Sequence, residues 1–266
     1  MLAVELRKQT FRLRTYVALG LMVVIPAVVT VVIKLHPGRA GSGERDFFVI
    51  ATHSGINLPL AALTAMSGFL LVVVVSVFGG ETVSGEAAWG TLRYLLIRPV
   101  TRSRVLLAKL AVASALSLAA TVTISVASLA AGIAAFGWHP VLTLSLSTVG
   151  QGAALLRLLL ATLYVAWSMA AFVSFALLVS TMTDSAFGAV AAGVGLGVVS
   201  QILNGVTPLG MVRYGLPTYY LDAWHGLFAF PVTTSDMVRG CLVQLGYAAF
   251  FVALAWWWFH RKDVTS

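Results

Sequence analysis

The sequence predicts an all-α membrane protein with six transmembrane helices and an additional N-terminal helix at the membrane interface. Hydrophobic residues make up 59% of the 266 residues and charged residues only 10%, whereas a soluble domain carries about 25% charged residues. Six apolar runs contain no Asp, Glu, Lys or Arg, and each approaches or exceeds the roughly 20 residues that a helix needs to cross the bilayer. Helix is expected because hydrocarbon offers no partners to backbone polar groups.

The runs place the six spans at about 16–35, 58–78, 106–136, 158–182, 185–206 and 239–259. We interpret residues 1–266 as a single transmembrane domain, because the remaining segments are too short to form a soluble catalytic domain.

The distribution of basic residues predicts that both termini are cytoplasmic. With the N-terminus inside, eleven of the seventeen Lys and Arg residues fall on the inner side and six on the outer side, as the positive-inside tendency requires. The aromatic run 256–259, Trp-Trp-Trp-Phe, comes directly before His260, Arg261 and Lys262, an order typical of a helix end at the headgroup level. We therefore expect a multi-pass protein of the cell's plasma membrane that contacts membrane lipid.

The first fifteen residues predict the interfacial helix. Leu2, Leu6 and Leu13 share one helical stripe, and Glu5, Lys8 and Arg12 share another, a pattern that suits a helix lying on the membrane. A solvated basic tail is the alternative interpretation.

Several classes of function are disfavoured by what the sequence lacks. The six apolar runs offer no ionisable group for an ion or proton relay, and no zinc-protease, serine-hydrolase or nucleotide-binding motif occurs. We predict no metal site, because Cys241 is the only cysteine and the five histidines share no ligand spacing. The net charge of +8 is attributed to basic inner loops and not to nucleic-acid binding.

Small residues in the fifth span suggest close helix packing. Ala189, Gly193 and Gly197 are spaced four residues apart, which lets two helices approach closely in lipid. We predict a contact between protomers here, and a contact within the chain is the equally weighted alternative.

The cytoplasmic loop at residues 79–109 carries the most specific signal. Residues 86–97 are expected to form a short helix, because Glu86 stands in its first turn, Arg98 at its end, and Pro99 cannot continue it. Glu81 leaves the second span, where an unpaired carboxylate is costly, so we expect it to meet a basic side chain or free backbone amides.

This loop resembles that of the ABC-2 family of ABC exporter permeases. The resemblance rests on an acidic residue after the second span, a Gly-Thr-Leu step, a run of leucines, a Pro-Val-Thr-Arg turn and a lysine at the start of the third span. The matching positions are Glu81, Gly90, Thr91, Leu92, Leu95, Leu96, Pro99, Val100, Thr101, Arg102 and Lys109. The six-span plan and the basic N-terminal helix also match, although the spans agree only as generic hydrophobic helices.

The resemblance implies a non-catalytic membrane subunit that binds no cofactor itself. Two permease protomers, identical or homologous, would each dock an ABC ATPase subunit, and ATP and Mg²⁺ would bind to those two ATPase chains. The helix between spans 2 and 3 would act as a cytoplasmic coupling helix. The residues expected to couple to the ATPase are Glu81, Glu86, Trp89, Gly90, Thr91, Leu92, Arg93, Pro99 and Arg102.

Two other classes of function remain as alternatives: a six-span secondary transporter or channel that ATP does not drive, and a membrane enzyme or assembly factor. Spans without charges suit a hydrophobic or amphipathic substrate such as a drug, antibiotic or lipid. The outer segment at 207–239 is rich in aromatic residues, and it is expected either to dip into the membrane as a cap or to lie at the interface.

Overall fold

The computed structural model describes residues 2–35, 50–88, 101–143 and 148–261. The helices are α1 (Leu2–Thr10), α2 (Leu13–Leu35), α3 (Asn57–Ser67), α4 (Leu70–Gly80), α5 (Ser84–Ala88), α6 (Arg102–Phe136), α7 (Gln151–Ser168), α8 (Ala170–Met182), α9 (Ala186–Gly205) and α10 (Ser235–Arg261). Two short antiparallel strands, β1 (Val141–Leu142) and β2 (Thr148–Val149), stand between α6 and α7. Two 3₁₀ segments, Thr207–Gly215 and Ala223–Phe228, stand between α9 and α10.

The prediction of an all-α protein with membrane-spanning helices is confirmed. Five helical stretches are long and apolar enough to cross a membrane: α2, α6, α7 with α8, α9 and α10. The helices α3 and α4 meet at a 60° bend, and together they would make a sixth span. The bend follows Ser67 at Gly68 and Phe69, and the sequence did not predict it.

The bundle has two distinct ends. The basal end is the one at which α2 begins: there Lys109, near the start of α6, contacts Glu5 of α1, and Arg102 donates to the carbonyl of Phe259 near the end of α10. At the opposite, distal end, Ser54 donates to the carbonyl of His139 at 2.6 Å. The bent pair α3–α4 therefore runs from the distal end to the basal end, which is the path that a span takes.

The stripe of small residues on α9 packs within the chain and not between protomers. A Cβ atom added at Gly193 would lie 2.6 Å from Ser76 Oγ of α4 and 3.1 Å from Ala176 Cβ of α8, and one added at Gly197 would lie 2.6 Å from Val72 of α4. Ala189 is fully buried. The prediction that these residues form a protomer contact is corrected, because the chain's own helices occupy the face that a second protomer would need.

The segment after α9 folds back onto the bundle at its distal end. Trp224 is fully buried, with Leu227 and Phe228 beside it. Side chains of the spans bind its backbone: Tyr164 Oη donates to the carbonyl of Tyr220 at 2.6 Å, and Gln244 Nε2 donates to the carbonyl of Pro217 at 2.7 Å. Trp224 and Phe228 of this segment thus contribute to the core, which the expectation of a simple interfacial loop did not include.

Candidate functional site at the basal end

Four parts of the chain bring six charged side chains together at the basal end. Helix α1 and the start of α2 supply two basic residues and one acid, the segment from the end of α4 through α5 supplies two acids, and α6 supplies one lysine. We call this group the basal charge cluster; its members are Glu5, Lys8, Arg14, Glu81, Glu86 and Lys109.

Lys109 is the centre of the basal charge cluster. It lies in the second turn of α6, and only 2% of the residue is exposed. Its Nζ atom is 3.1 Å from Glu5 Oε1, 2.8 Å from Glu86 Oε2 and 2.6 Å from the carbonyl oxygen of Thr82. An ammonium group has three donors, so each hydrogen of Lys109 has an acceptor, as a buried charge requires.

Glu86 joins Lys109 to the N-terminal helix. The residue is 2% exposed, and its two carboxylate oxygens meet Lys8 and Lys109. Burial alone would raise the pKa of Glu86, but Lys109 and Lys8 together hold it below its ordinary value. The carboxylate is thus charged at neutral pH and fixes α5 to both α1 and α6.

A serine of α8 holds the start of α5 from the other side. Ser180 Oγ accepts hydrogen bonds from the backbone amides of Val83 at 3.0 Å and Ser84 at 2.8 Å. Ser84 Oγ in turn donates to the carbonyl of Gly80 at 2.6 Å. The turn between α4 and α5 is therefore held by hydrogen bonds from α8 as well as by the basal charge cluster.

The expectation that Glu81 meets a basic partner is confirmed. Its carboxylate forms an ion pair with Arg14 at the start of α2, and Arg14 also donates to Gln9 Oε1 of α1 at 3.1 Å. This pair stands at the rim of the cluster, because both side chains are partly exposed.

Helix α1 turns its polar face toward the bundle. Glu5 and Gln9 are buried, whereas Leu2, Val4 and Leu6 are exposed. The usual arrangement of a surface helix on a soluble protein is the reverse, so the apolar side is left for lipid or for a protein partner. This arrangement is the one that the interfacial-helix prediction requires.

Of the nine residues predicted to couple to an ATPase, the structure describes three. Glu81 and Glu86 belong to the basal charge cluster, and Arg102 lies apart from it, with its Nη1 atom 3.1 Å from the carbonyl oxygens of both Phe259 and His260. The other six lie outside the described residues: Trp89, Gly90, Thr91, Leu92, Arg93 and Pro99. The predicted helix at 86–97 begins two residues early, at Ser84, and the structure describes it only to Ala88.

Sequence reasoning missed the roles of Glu5, Lys8 and Arg14 and noted Lys109 only as part of a motif. One signal was present: Glu5 is the single acid among the first 43 residues, within a basic segment. An isolated acid in such a segment is a candidate for a buried pair, but its partner is 104 positions away in the sequence.

The contacts of the basal charge cluster hold separate elements of the chain together. Three carboxylates meet three cations in ion pairs, and Lys109 and Arg14 also donate hydrogen bonds to Thr82 and Gln9. Within the described ranges, no three His, Cys, Asp or Glu side chains converge in a way that could hold a metal ion.

Comparison with known proteins identifies a family but not a function. No curated protein matches the chain. The family described as "Protein of unknown function (DUF2705)" matches residues 45–265, which include α3 to α10 and the acids and lysine of the cluster at positions 81, 86 and 109. The matched region covers most of the 266 residues, and the chain therefore belongs to the DUF2705 family.

Proposed function

We propose that this chain is the membrane-spanning permease subunit of an ATP-driven ABC exporter. The observation that carries the proposal is the attachment of α5, the start of the expected coupling helix, to α1, α6 and α8 through Glu86, Lys109 and Ser180. In this function the chain forms the path for a hydrophobic or amphipathic substrate and transmits the motion of a separate ATPase to the spans.

A coupling helix must be stiffly attached to the helices that it moves. Interactions between buried charges are strong because little water screens them, and removal of one partner leaves the other charge uncompensated. A displacement of α5 would therefore pass through Lys109 to α6 and through Lys8 to α1. A loop that only connects two spans needs no such attachment.

The proposed assembly places the basal end in the cytoplasm. The excess of Lys and Arg on that side of the predicted topology supports this orientation, with both termini inside and the bent pair α3–α4 as the second of six spans. Two ATPase subunits, which bind ATP and Mg²⁺, would dock at the basal ends of two permease protomers.

A secondary transporter or channel is the second candidate, and the bend between α3 and α4 favours it. Discontinuous helices often form the substrate and ion sites of secondary transporters, and the side chain of Gln201 in α9 lies close to Gly68 at the bend. The proposal ranks below the exporter because the basal charge cluster has no evident part in it.

The two functions are separated by purification of the full chain from its native membranes. The exporter predicts that an ATPase with a phosphate-binding loop co-purifies and that the complex hydrolyses ATP. If the purified chain carries no ATPase and, in liposomes, supports substrate flux driven by an ion gradient, the exporter proposal is wrong and the second candidate is correct.

A further inference from the structure

Helix α1 carries an open pocket on a face that the bundle does not cover. Its volume is about 450 Å³, within the range of about 300–1,000 Å³ that small-molecule sites occupy. The spacing of three and four residues places the lining side chains on one face of the helix, whereas Glu5 and Gln9 are buried against the bundle. Among the described residues, the pocket is lined by Val4, Arg7, Lys8 and Phe11.

The two cations of this pocket have a positive charge that the acids of the chain do not fully balance. Arg7 forms no ion pair with any described residue, and its guanidinium carbon lies 6.0 Å from the centre of the Phe11 ring. Lys8 pairs with Glu86, but its side chain is 39% exposed, and an ammonium group has three donors. The three acids of the basal charge cluster are already paired within it. The pocket is therefore complementary to an anion.

The pocket lies where the membrane surface meets the chain. Phe11 comes two residues before α2, which begins at Leu13 and is long and apolar enough to cross the membrane. Phe11, Leu13, Tyr16 and Val17 are all exposed, so the apolar surface beside the pocket continues onto the side of α2 that faces lipid. The start of a span is the level of the lipid headgroups.

The lining combines the two chemical features of a phospholipid. A guanidinium group binds phosphate oxygens through two parallel N–H groups, and Arg7 and Lys8 are both exposed to such a ligand. Val4 and Phe11 supply apolar walls, which suit the glycerol and the first carbons of the acyl chains. A soluble anion would leave these walls in water.

We propose that this pocket binds an anionic phospholipid, with its phosphate between Arg7 and Lys8 and the start of its acyl chains against Val4 and Phe11. Because Lys8 also binds Glu86, the lipid connects the bilayer surface to the basal charge cluster. The proposal does not depend on ATP-driven transport, since it requires only that the basal end lies at a bilayer surface.

The test compares two photoreactive lipids that differ only in their headgroup. The full chain is placed in phosphatidylcholine nanodiscs that contain a small fraction of phosphatidylglycerol or phosphatidylcholine with a diazirine next to its glycerol. After illumination, labelled peptides are identified by mass spectrometry. Phosphatidylglycerol should label the peptides that contain Val4 and Phe11 at least about fivefold more than phosphatidylcholine does, the preference that one cation near the surface supplies.

Two results of this comparison would overturn the proposal. Equal labelling of α1 by the two lipids would mean that the pocket does not recognise an anionic headgroup. No labelling of α1 by either lipid would mean that protein and not lipid covers this face.

Inorganic phosphate, added at constant ionic strength, tests whether the ligand must be a lipid. Labelling by phosphatidylglycerol should not change, because the free anion makes no contact with the apolar walls at Val4 and Phe11. Loss of the labelling would mean that the pocket takes a soluble phosphate, and the proposal would be wrong.

Two arginine variants separate the pocket from a general attraction of basic residues for anionic lipid. Arg7→Gln should lower the ratio of labelling by the two lipids at least about fivefold. Arg12→Gln removes the same charge outside the pocket, where Arg12 Nη1 lies 3.9 Å from a Cβ atom added at Gly85 of α5, and it should keep the preference for phosphatidylglycerol. Equal ratios in the two variants would contradict the site. If Arg7→Gln does not fold, the lipid comparison and the phosphate competition in the wild-type chain decide the question.

Discussion

Lys109 is a cation without access to water whose hydrogen bonds hold separate segments of the chain together. Its contacts with Glu5, Glu86 and the carbonyl of Thr82 join α6 to α1, to α5 and to the turn before α5. Replacement of both partners of a buried ion pair by apolar residues is often harmless, but removal of one partner leaves a buried charge uncompensated.

Lys109→Met is therefore expected to destabilise the protein by about 3–5 kcal/mol, measured as resistance to chemical unfolding in detergent. Arg239→Met is the matched control, because Arg239 pairs with Asp236 at 3.4 Å where both side chains are more than 60% exposed. Such an exposed pair is worth about 0–1 kcal/mol. Equal losses in the two variants would contradict the central place of Lys109.

The lowered pKa of Glu86 means that the stability of the folded protein should depend on pH. Lys109 and Lys8 outweigh burial and lower the pKa of Glu86 below its ordinary value of 4.5, so the folded protein holds this proton less tightly than the unfolded chain does. The resulting stabilisation is present above pH 4.5 and is lost as the pH falls through the lowered pKa.

The wild-type chain should thus exceed Glu86→Gln in unfolding temperature at pH 7, and the difference should shrink below pH 4.5. A difference that stayed constant down to pH 3.5 would show that Glu86 acts through packing alone.

Two ion pairs of the basal charge cluster differ in whether the sequence could predict them. Glu81 follows an apolar span, where an unpaired carboxylate is costly, so the sequence predicted a basic partner for it. Arg14 is that partner. That Glu5 pairs with Lys109 could not be predicted, because the two residues are 104 positions apart and nothing in either local pattern indicates the other.

Helix α9 differs most from its sequence-based prediction, which was a contact between protomers. Its small residues allow close packing, as their spacing predicted, but the neighbours are α4 and α8 of the same chain. The spacing shows only that this face of α9 carries small side chains. Which helix packs against the face depends on the fold.

Gly193→Ala should therefore destabilise the single chain by about 1–3 kcal/mol, because the new methyl group would meet Ser76 Oγ at 2.6 Å. Gly195→Ala on the same helix has no atom within 4 Å of the added Cβ and should stabilise slightly, since alanine favours helix more than glycine does. Unfolding in detergent measures both variants. A Gly193→Ala chain as stable as Gly195→Ala would mean that the contact with α4 is wrong.

The bend between α3 and α4 could not be predicted from the apolar composition of the span. Apolar runs were found because hydrocarbon demands them over the whole thickness of the bilayer. Residues 58–78 form one such run without charge, and its single proline, Pro59, stands at its start and not at the bend. The composition on the two sides of Gly68 and Phe69 therefore gives no sign of an interruption.

At the scale of the whole molecule, the proposed orientation rests on the distribution of basic residues and can be tested by labelling. In a Cys241→Ser background, a cysteine at Phe230, which is 82% exposed at the distal end, should react with an impermeant reagent on intact cells. A cysteine at the exposed Ala88 near the basal end should react only after the membrane is opened. Reaction at Ala88 from outside would reverse the proposed orientation.

We expect an ATPase to dock at the basal end through the segment that follows α5. The most direct measurement replaces Trp89 with a photo-crosslinking phenylalanine derivative in native membranes, and replaces Phe230 at the distal end as the control. Large buried aromatic side chains often dominate binding at interfaces, so Trp89 is the expected anchor. We expect a crosslink from position 89 to an ATPase subunit and none from position 230. Crosslinks from position 89 only to lipid or to other membrane proteins would show that no ATPase docks there.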